Sequence, residues 1–355
     1  VLFVRCNPRI LLTVMALALV LGAILYFLKK NSADGRLLMW IVSLKAICGH
    51  PVFGSGIGGF HKVFSDSQKE YFMANPDSSL ASVAGAPEYA FNDFLEVGVE
   101  QGLVGMLLFS LIIIVSICKL LRGKNEIGYG LLALSVCAMF SYPFSLLPFK
   151  ILGCLFVSRA AAWDKRPLII IAGWHKAVVS IIFCMICVSL LIPINIRIRD
   201  KVNAVKDFAI EKILRIKTVN DLHLERAKIL CDHPKYLFWL GKRLKNSGRY
   251  EESLDAFRRG TEVSCDNMFY VMMGNVCASL NRFDEAEDHY KVAHYMQPCK
   301  LYPLYQLLLL YESEGRLEDA NRLARAILDS NPKVRSSATD EMKTYASEFL
   351  SGGVK

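Results

Sequence analysis

The 11 cysteines hold a single CxxC, Cys184-Met185-Ile186-Cys187, and it lies, like most of them, inside an apolar run, where cysteine behaves as a small hydrophobe; a zinc site is not expected. No basic stripe with interleaved aromatics accompanies the formal charge of +9, which argues against nucleic acid as the partner. Charged side chains are scarce inside the long apolar runs, which argues against a transporter or channel. What the sequence has in abundance is apolar side chains. A hydrophobic content of 53% and a mean hydropathy of +0.32 are too high for an ordinary soluble protein, and 355 residues leave room for two domains. The expectation is a membrane part with a soluble annex, its surplus Lys and Arg placed in cytoplasmic loops.

Ile10 to Leu28 is an uninterrupted apolar run of 19 residues, enough at about 1.5 Å per residue to cross a hydrocarbon core of about 30 Å. Lys29 and Lys30 follow directly, in place of the small-residue cleavage site of a signal peptide, so the run reads as a transmembrane helix. Because the chain opens at Val1 and enters this span within ten residues, it is expected to be the C-terminal part of a longer protein. Leu37 to Cys48 has one apolar helical face, with Asp34 as the expected N-cap, and should lie flat on the membrane or on neighbouring spans. Pro51 and the glycines after it break that helix, and SDSQKEYFMANPDSS is polar enough to face solvent.

Leu103 to Cys118 is apolar throughout and can extend over Leu120 and Leu121 as the next span, ending in Lys119, Arg122 and Lys124, a basic end expected in the cytoplasm. The 31 mostly apolar residues from Ile127 to Val157 are too many for one untilted span, and Pro143 and Pro148 suit two short helices joined by a proline turn. Arg159, Lys165 and Arg166 make a second basic cluster, which fits an even number of crossings between the two clusters. Ala177 to Ile194 crosses once more, with Trp174 at one interface. The expected fold is all-α. A polytopic helical membrane domain over 1–196, with about five spans and a large outer loop at 29–102, precedes a soluble domain over 197–355 on the same outer side.

That C-terminal part is repetitive. Gly248-Arg249-Tyr250, Asn281-Arg282-Phe283 and Gly315-Arg316-Leu317 recur at offsets of 33 and 34, the period of a tetratricopeptide array. Gly241 and Gly274 take the small position of the first helix, Ala286 and Ala320 that of the second. Phe257 and Tyr290 take the large aromatic position, and Pro298 and Pro332 close their repeats. Leu308, Ser253 and Gly260 depart from the pattern. An α-solenoid of this kind is expected to hold a protein partner, although the pattern does not identify which.

Candidate site residues gather in the outer loop. Arg36 is either a planar clamp on diphosphate oxygens or an interfacial arginine snorkelling from its helix. Gly54, Gly56, Gly58 and Gly59 either bring backbone amides to an anion or merely turn the chain. His50 and His61 flank that run, neither with a carboxylate at a spacing that marks a dyad. Glu96 and Glu100 share a helical face at the entrance to a span, where carboxylates are costly unless used.

Gly35-Arg36 with Trp40, then HPVFGSGIGGF, then AFNDFLEVGVEQGLVG before a span, resembles the O-antigen ligase and polymerase family of bacterial inner membranes, over roughly Arg9 to Ala162. Arg36 matches the family's loop arginine; Pro51, Gly54, Gly56, Gly58 and Phe60 match its glycine-rich element; Asn92, Leu95 and Gly102 match the approach to the span. Where the family has a histidine before that asparagine, this chain has Phe91, which cannot transfer a proton. Glu88, Tyr89, Asp93, His50 and His61 are the nearby substitutes.

The resemblance implies transfer without metal or other cofactor of a glycan from an undecaprenyl diphosphate carrier to an acceptor, lipid, protein or growing polymer, at the periplasmic face of the inner membrane, with the C-terminal domain in the periplasm. Arg36, Glu88 and Tyr89 are the expected catalytic residues. Gly54, Gly56, Gly58, His61, Asn92 and Glu96 are expected to contact substrate. The alternative is a non-catalytic, membrane-anchored tetratricopeptide scaffold for envelope assembly.

Overall fold

The computed structural model describes residues 29–162, 174–213, 221–330, 332 and 335–352. All regular structure among them is helical, with fourteen α-helices, two 3-10 turns and no strand. The expected first span, Ile10 to Leu28, lies outside the described residues.

Helix α1 (Lys30–Gly49) carries Leu38, Val42 and Ala46 at four-residue spacing, and this stripe is buried against α2 (Phe60–Ala74) and α3 (Asp93–Arg122). The helix begins before Asp34 and has no side-chain cap at Lys29, so Asp34 sits inside its first turns instead of capping it. Helix α2 corrects a second expectation, since most of the segment read as a solvent-facing loop is helical. Phe60, Phe64 and Phe72 sit one and three turns apart and form a buried stripe, one that the polar residues between them conceal in composition.

Among the described residues, α3 is the one helix long and apolar enough to cross a membrane. Gly102 interrupts it at φ 68°, and the 20 residues beyond that kink are about 30 Å long, which matches the hydrocarbon core. Leu107, Leu108, Leu111 and Ile112 are each more than half exposed on that part, as lipid contact requires. Two short helices, α4 (Ile127–Phe140) and α5 (Leu147–Ala161), pack on α3. They are joined by a 3-10 turn at Pro143–Ser145, with Pro148 in the first turn of α5, as the sequence suggests. Helix α6 (Trp174–Ile213) does not end near Ile194 but continues through Pro193 and across residues 196 and 197. Its far end places Ala204 and Phe208 in a core with Leu230, Tyr236 and Leu240.

Beyond α7 (Asp221–Ile229) the chain forms three helical hairpins and a last helix. These are α8 (Pro234–Asn246) with α9 (Tyr250–Glu262), α10 (Met268–Ser279) with α11 (Phe283–Met296), α12 (Tyr302–Ser313) with α13 (Leu317–Asp329), and α14 (Ser337–Leu350). The recurring triplets are the hairpin turns, whose first residues Gly248, Asn281 and Gly315 take φ of 76°, 58° and 72°. Within each hairpin one small residue faces one large one. A Cβ on Gly241 would meet the Phe257 ring at 2.5 Å, and a Cβ on Gly274 would meet the Tyr290 ring at 2.5 Å.

The third hairpin inverts the pair. Leu308 and Ala324 occupy the same two positions with the sizes exchanged, and both are fully buried in the same core, so the departure at Leu308 conserves volume. Ser253 also finds a use, its hydroxyl donating to the Gly241 carbonyl at 2.8 Å. Ala324→Phe alone should destabilise the chain by about 1–3 kcal/mol through overpacking. Adding Leu308→Gly should recover most of that loss in a thermal melt, despite the cost of about 1 kcal/mol for glycine within a helix. A double variant no more stable than Ala324→Phe alone would reject the exchange.

Residues 61–85 and the hairpins touch. The Gln68 side-chain amide donates to the Gly85 carbonyl at 3.1 Å and to that of Met296, and Lys62 pairs with Glu262 at 3.5 Å. The thiols of Cys265 and Cys299 donate to the carbonyls of His61 and Ala84, each at 3.3 Å.

Candidate active site

The glycine run wraps the kink in α3. The amides of Ser55 and Gly56 donate to the carbonyls of Val99 and Glu100 at 2.9 and 2.8 Å, which the kink leaves without helical partners. In return the carbonyl of Pro51 accepts from Leu103 at 2.8 Å and that of Val52 from Val104 at 3.4 Å. The amide of Gly54 donates to His50, and that of Gly58 to the Glu100 carboxylate at 2.9 Å. The glycine amides that the sequence offers to an anion are therefore engaged within the chain. Gly54, Gly56 and Gly58 all have positive φ, and Gly54 lies against the backbone of Glu100 and Gln101. The Glu100 carboxylate in turn sits at the N-terminus of α2, where the helix dipole favours an anion.

At the entrance to α3, Asn92 is the N-cap, its side-chain oxygen accepting from the amides of Phe94 and Leu95 at 3.0 and 3.1 Å. Glu96 reaches back to the amide of Ala90 at 3.1 Å and accepts from Ser145 Oγ at 3.2 Å. Asp93, buried, accepts from the amide of Phe144 at 2.9 Å and from Ser145 Oγ at 3.3 Å. Together they fasten the turn between α4 and α5 to the head of α3, and Lys150, in the first turn of α5, acts electrostatically on both Asp93 and Glu100. Ser145 and Lys150 escape a reading of the sequence because the turn carries no motif and lies about 50 residues from its partners.

A cleft of about 1260 Å³ opens between residues 84–89 of the outer loop and the hairpins. It gathers three of the expected site residues, His61, Glu88 and Tyr89. Burial holds the His61 pKa below the ordinary histidine value, and the negative charge of Glu88 opposes that shift. The fold thus brings a carboxylate and an imidazole 27 residues apart in sequence to the lining of one cleft, a juxtaposition with no local signal.

Tyr89 also stacks on Tyr142, with centroids 4.4 Å apart, and Phe91 meets the other edge of that cluster at 5.1 Å. Phe91 is held at φ 52°, an uncommon conformation for a bulky side chain, at the position where the family pattern has histidine. Separately, Phe140 meets Trp40, 6.0 Å between ring centroids, and Trp40 lies one helical turn beyond Arg36. Arg36 itself is exposed, makes no ion pair among the described residues and does not line the cleft.

Among the described residues the site thus joins a helix long and apolar enough to cross a membrane, a polar segment folded against its kink, and titratable side chains in a nearby cleft. Residues 1–110 match the family model described as O-antigen ligase, a stretch that ends within α3 and contains Arg36, the glycine run, Glu88, Tyr89, Asn92 and Glu96. The match covers less than a third of the chain; over that stretch it supports the O-antigen ligase and polymerase family and suggests ligase-type glycan transfer in general. No curated protein matches the chain.

Proposed function

We propose that the protein transfers a glycan from an undecaprenyl diphosphate carrier to an acceptor hydroxyl at the periplasmic face of the inner membrane, with His61 and Glu88 accepting the proton. The observation that carries this reading is that His61 and Glu88 both line the cleft, which supplies a base where Phe91 cannot. The acceptor oxygen attacks the anomeric carbon, and its proton passes to neutral His61. The bond from that carbon to the diphosphate oxygen breaks, with the electron pair leaving on the diphosphate. Glu88 stabilises the imidazolium formed and Tyr89 orients the acceptor, while Arg36, on α1 outside the cleft, is assigned to the carrier's diphosphate and the charge that develops there, which requires the substrate to extend from the cleft to α1.

Contacts between the outer loop and the hairpins support placing both on one side of the membrane. The 33–34 residue period and the paired small and large residues support a tetratricopeptide array over 197–355, joined to a membrane domain over 1–196. Phe91 favours the second reading, a scaffold without catalysis.

His61→Ala should lower transfer by about 10²- to 10⁴-fold in cell envelopes that depend on this protein. Because burial disfavours the imidazolium, the base form persists below the ordinary pKa of about 6.5. Transfer should therefore fall with acidification through an inflection lower than that value. Glu88→Gln removes the charge that raises this pKa, so its residual activity should show the inflection at still lower pH. Normal transfer by a well-inserted His61→Ala protein would favour the scaffold.

A further inference from the structure

The wall of the cleft opposite Glu88 is built by α8, in which Lys235, Trp239 and Lys242 lie at i, i+4 and i+7. One helical face thus presents a cation, an indole and a second cation to the cavity. Both lysines are exposed and make no ion pair among the described residues. Two acidic groups of the cleft are engaged in ion pairs, Asp232 with Lys201 and Asp266 with Lys300 at 3.8 Å. The charge left to attract a ligand on this wall is therefore positive. Trp239 is half-buried and braced by Phe208 and His223, with ring centroids 5.5 and 5.6 Å away, so it is ordered before any ligand arrives. Tyr302 adds a second aromatic surface to the same cavity. At about 1260 Å³ the cleft is larger than the usual small-molecule pocket of about 300–1,000 Å³, and its size suits an oligomer.

We infer that this face of α8 is a binding site for an acidic glycan, one whose sugars carry carboxylate or phosphate groups, and that it holds the chain whose end reaches Glu88 and His61. The identity of the ligand rests on the transfer reading above, because the facing wall is the one that reading assigns to glycan chemistry. Lys235 and Lys242 bond the anionic groups, while Trp239 and Tyr302 cover the apolar C–H faces of the sugar rings. The helical hairpins then form part of the substrate site.

The test is calorimetric titration of the full chain in detergent micelles with an oligogalacturonate and with a neutral maltooligosaccharide of equal length. The uronate should bind at least about tenfold more tightly, and Lys235→Gln with Lys242→Gln should remove most of that advantage. Both lysines are exposed, so the double variant should keep its helical circular dichroism and melting temperature. Glu88→Gln should leave uronate binding in place or tighter, since it removes a negative charge from the cleft while impairing transfer. Equal binding of the two saccharides, undiminished uronate binding by the folded lysine variant, or oligoglutamate binding as tight as the uronate would each overturn the inference. Lysine-dependent uronate binding together with normal transfer by His61→Ala would instead fault the catalytic reading and leave the site standing.

Discussion

Replacing Arg36 by alanine should reduce glycan transfer by at least about 10²- to 10³-fold, the loss typical of a preorganised group that meets developing charge. Arg36→Lys should restore at most a small part of it. Lysine keeps the charge but presents it as a point, without the planar fork that binds two phosphate oxygens together. The structure makes this a clean experiment, because Arg36 is exposed and makes no ion pair among the described residues. Its removal should change stability by no more than about 0.5 kcal/mol. Transfer measured in envelopes, beside the amount and melting temperature of the inserted protein, separates the two effects. A folded Arg36→Ala protein with normal transfer would show that this arginine only anchors its helix at the interface.

Gly102→Ala should be the most damaging single methyl group in the described chain. At φ 68° and ψ −171° the residue occupies a region that is essentially closed to side chains. A Cβ there would lie 2.2 Å from the Val52 carbonyl oxygen and 2.6 Å from the Phe53 amide nitrogen, and backbone cannot yield as a side-chain tip can. Removing the clash means separating residues 51–59 from the kink, with loss of the bonds from Ser55, Gly56, Leu103 and Val104. A destabilisation of about 4 kcal/mol or more follows, an exceptional cost for one substitution. The control is Gly56→Ala, where φ is 93° but nothing lies within 4 Å of the new carbon, and only the conformational cost of about 1–2 kcal/mol is expected. Limited proteolysis of the 51–59 segment should open it in the first variant and leave it protected in the second. Equal protection in both would mean that the glycine run does not depend on the kink.

Local rules made the helical class legible in the sequence. Apolar length and composition marked α3 as a span, Pro143 and Pro148 marked the turn between α4 and α5, and a period of 33–34 residues marked the hairpin turns at Gly248, Asn281 and Gly315. Each of these is a near-neighbour property, in which a side chain acts on its own backbone or on the next helical turn. Helix α2 carried the same kind of signal in Phe60, Phe64 and Phe72, but polar composition outweighed periodicity in the reading.

The site was legible only as a set of residue types. Asn92 and Glu96 turned out to cap and brace the head of α3, and the glycine amides to bond its kink, because backbone groups exposed by a break in a long helix must find partners close at hand. That His61 and Glu88 share a cleft with Lys235, Trp239 and Lys242 depends on how the hairpins pack against residues 60–90. Those contacts join residues more than 200 positions apart, as Gln68 with Met296 and Ala84 with Cys299. No periodicity or spacing encodes such pairings. They follow from the burial of whole helical faces, so the sequence by itself determined the helices and their turns, and only the tertiary structure decided which of their side chains share a site.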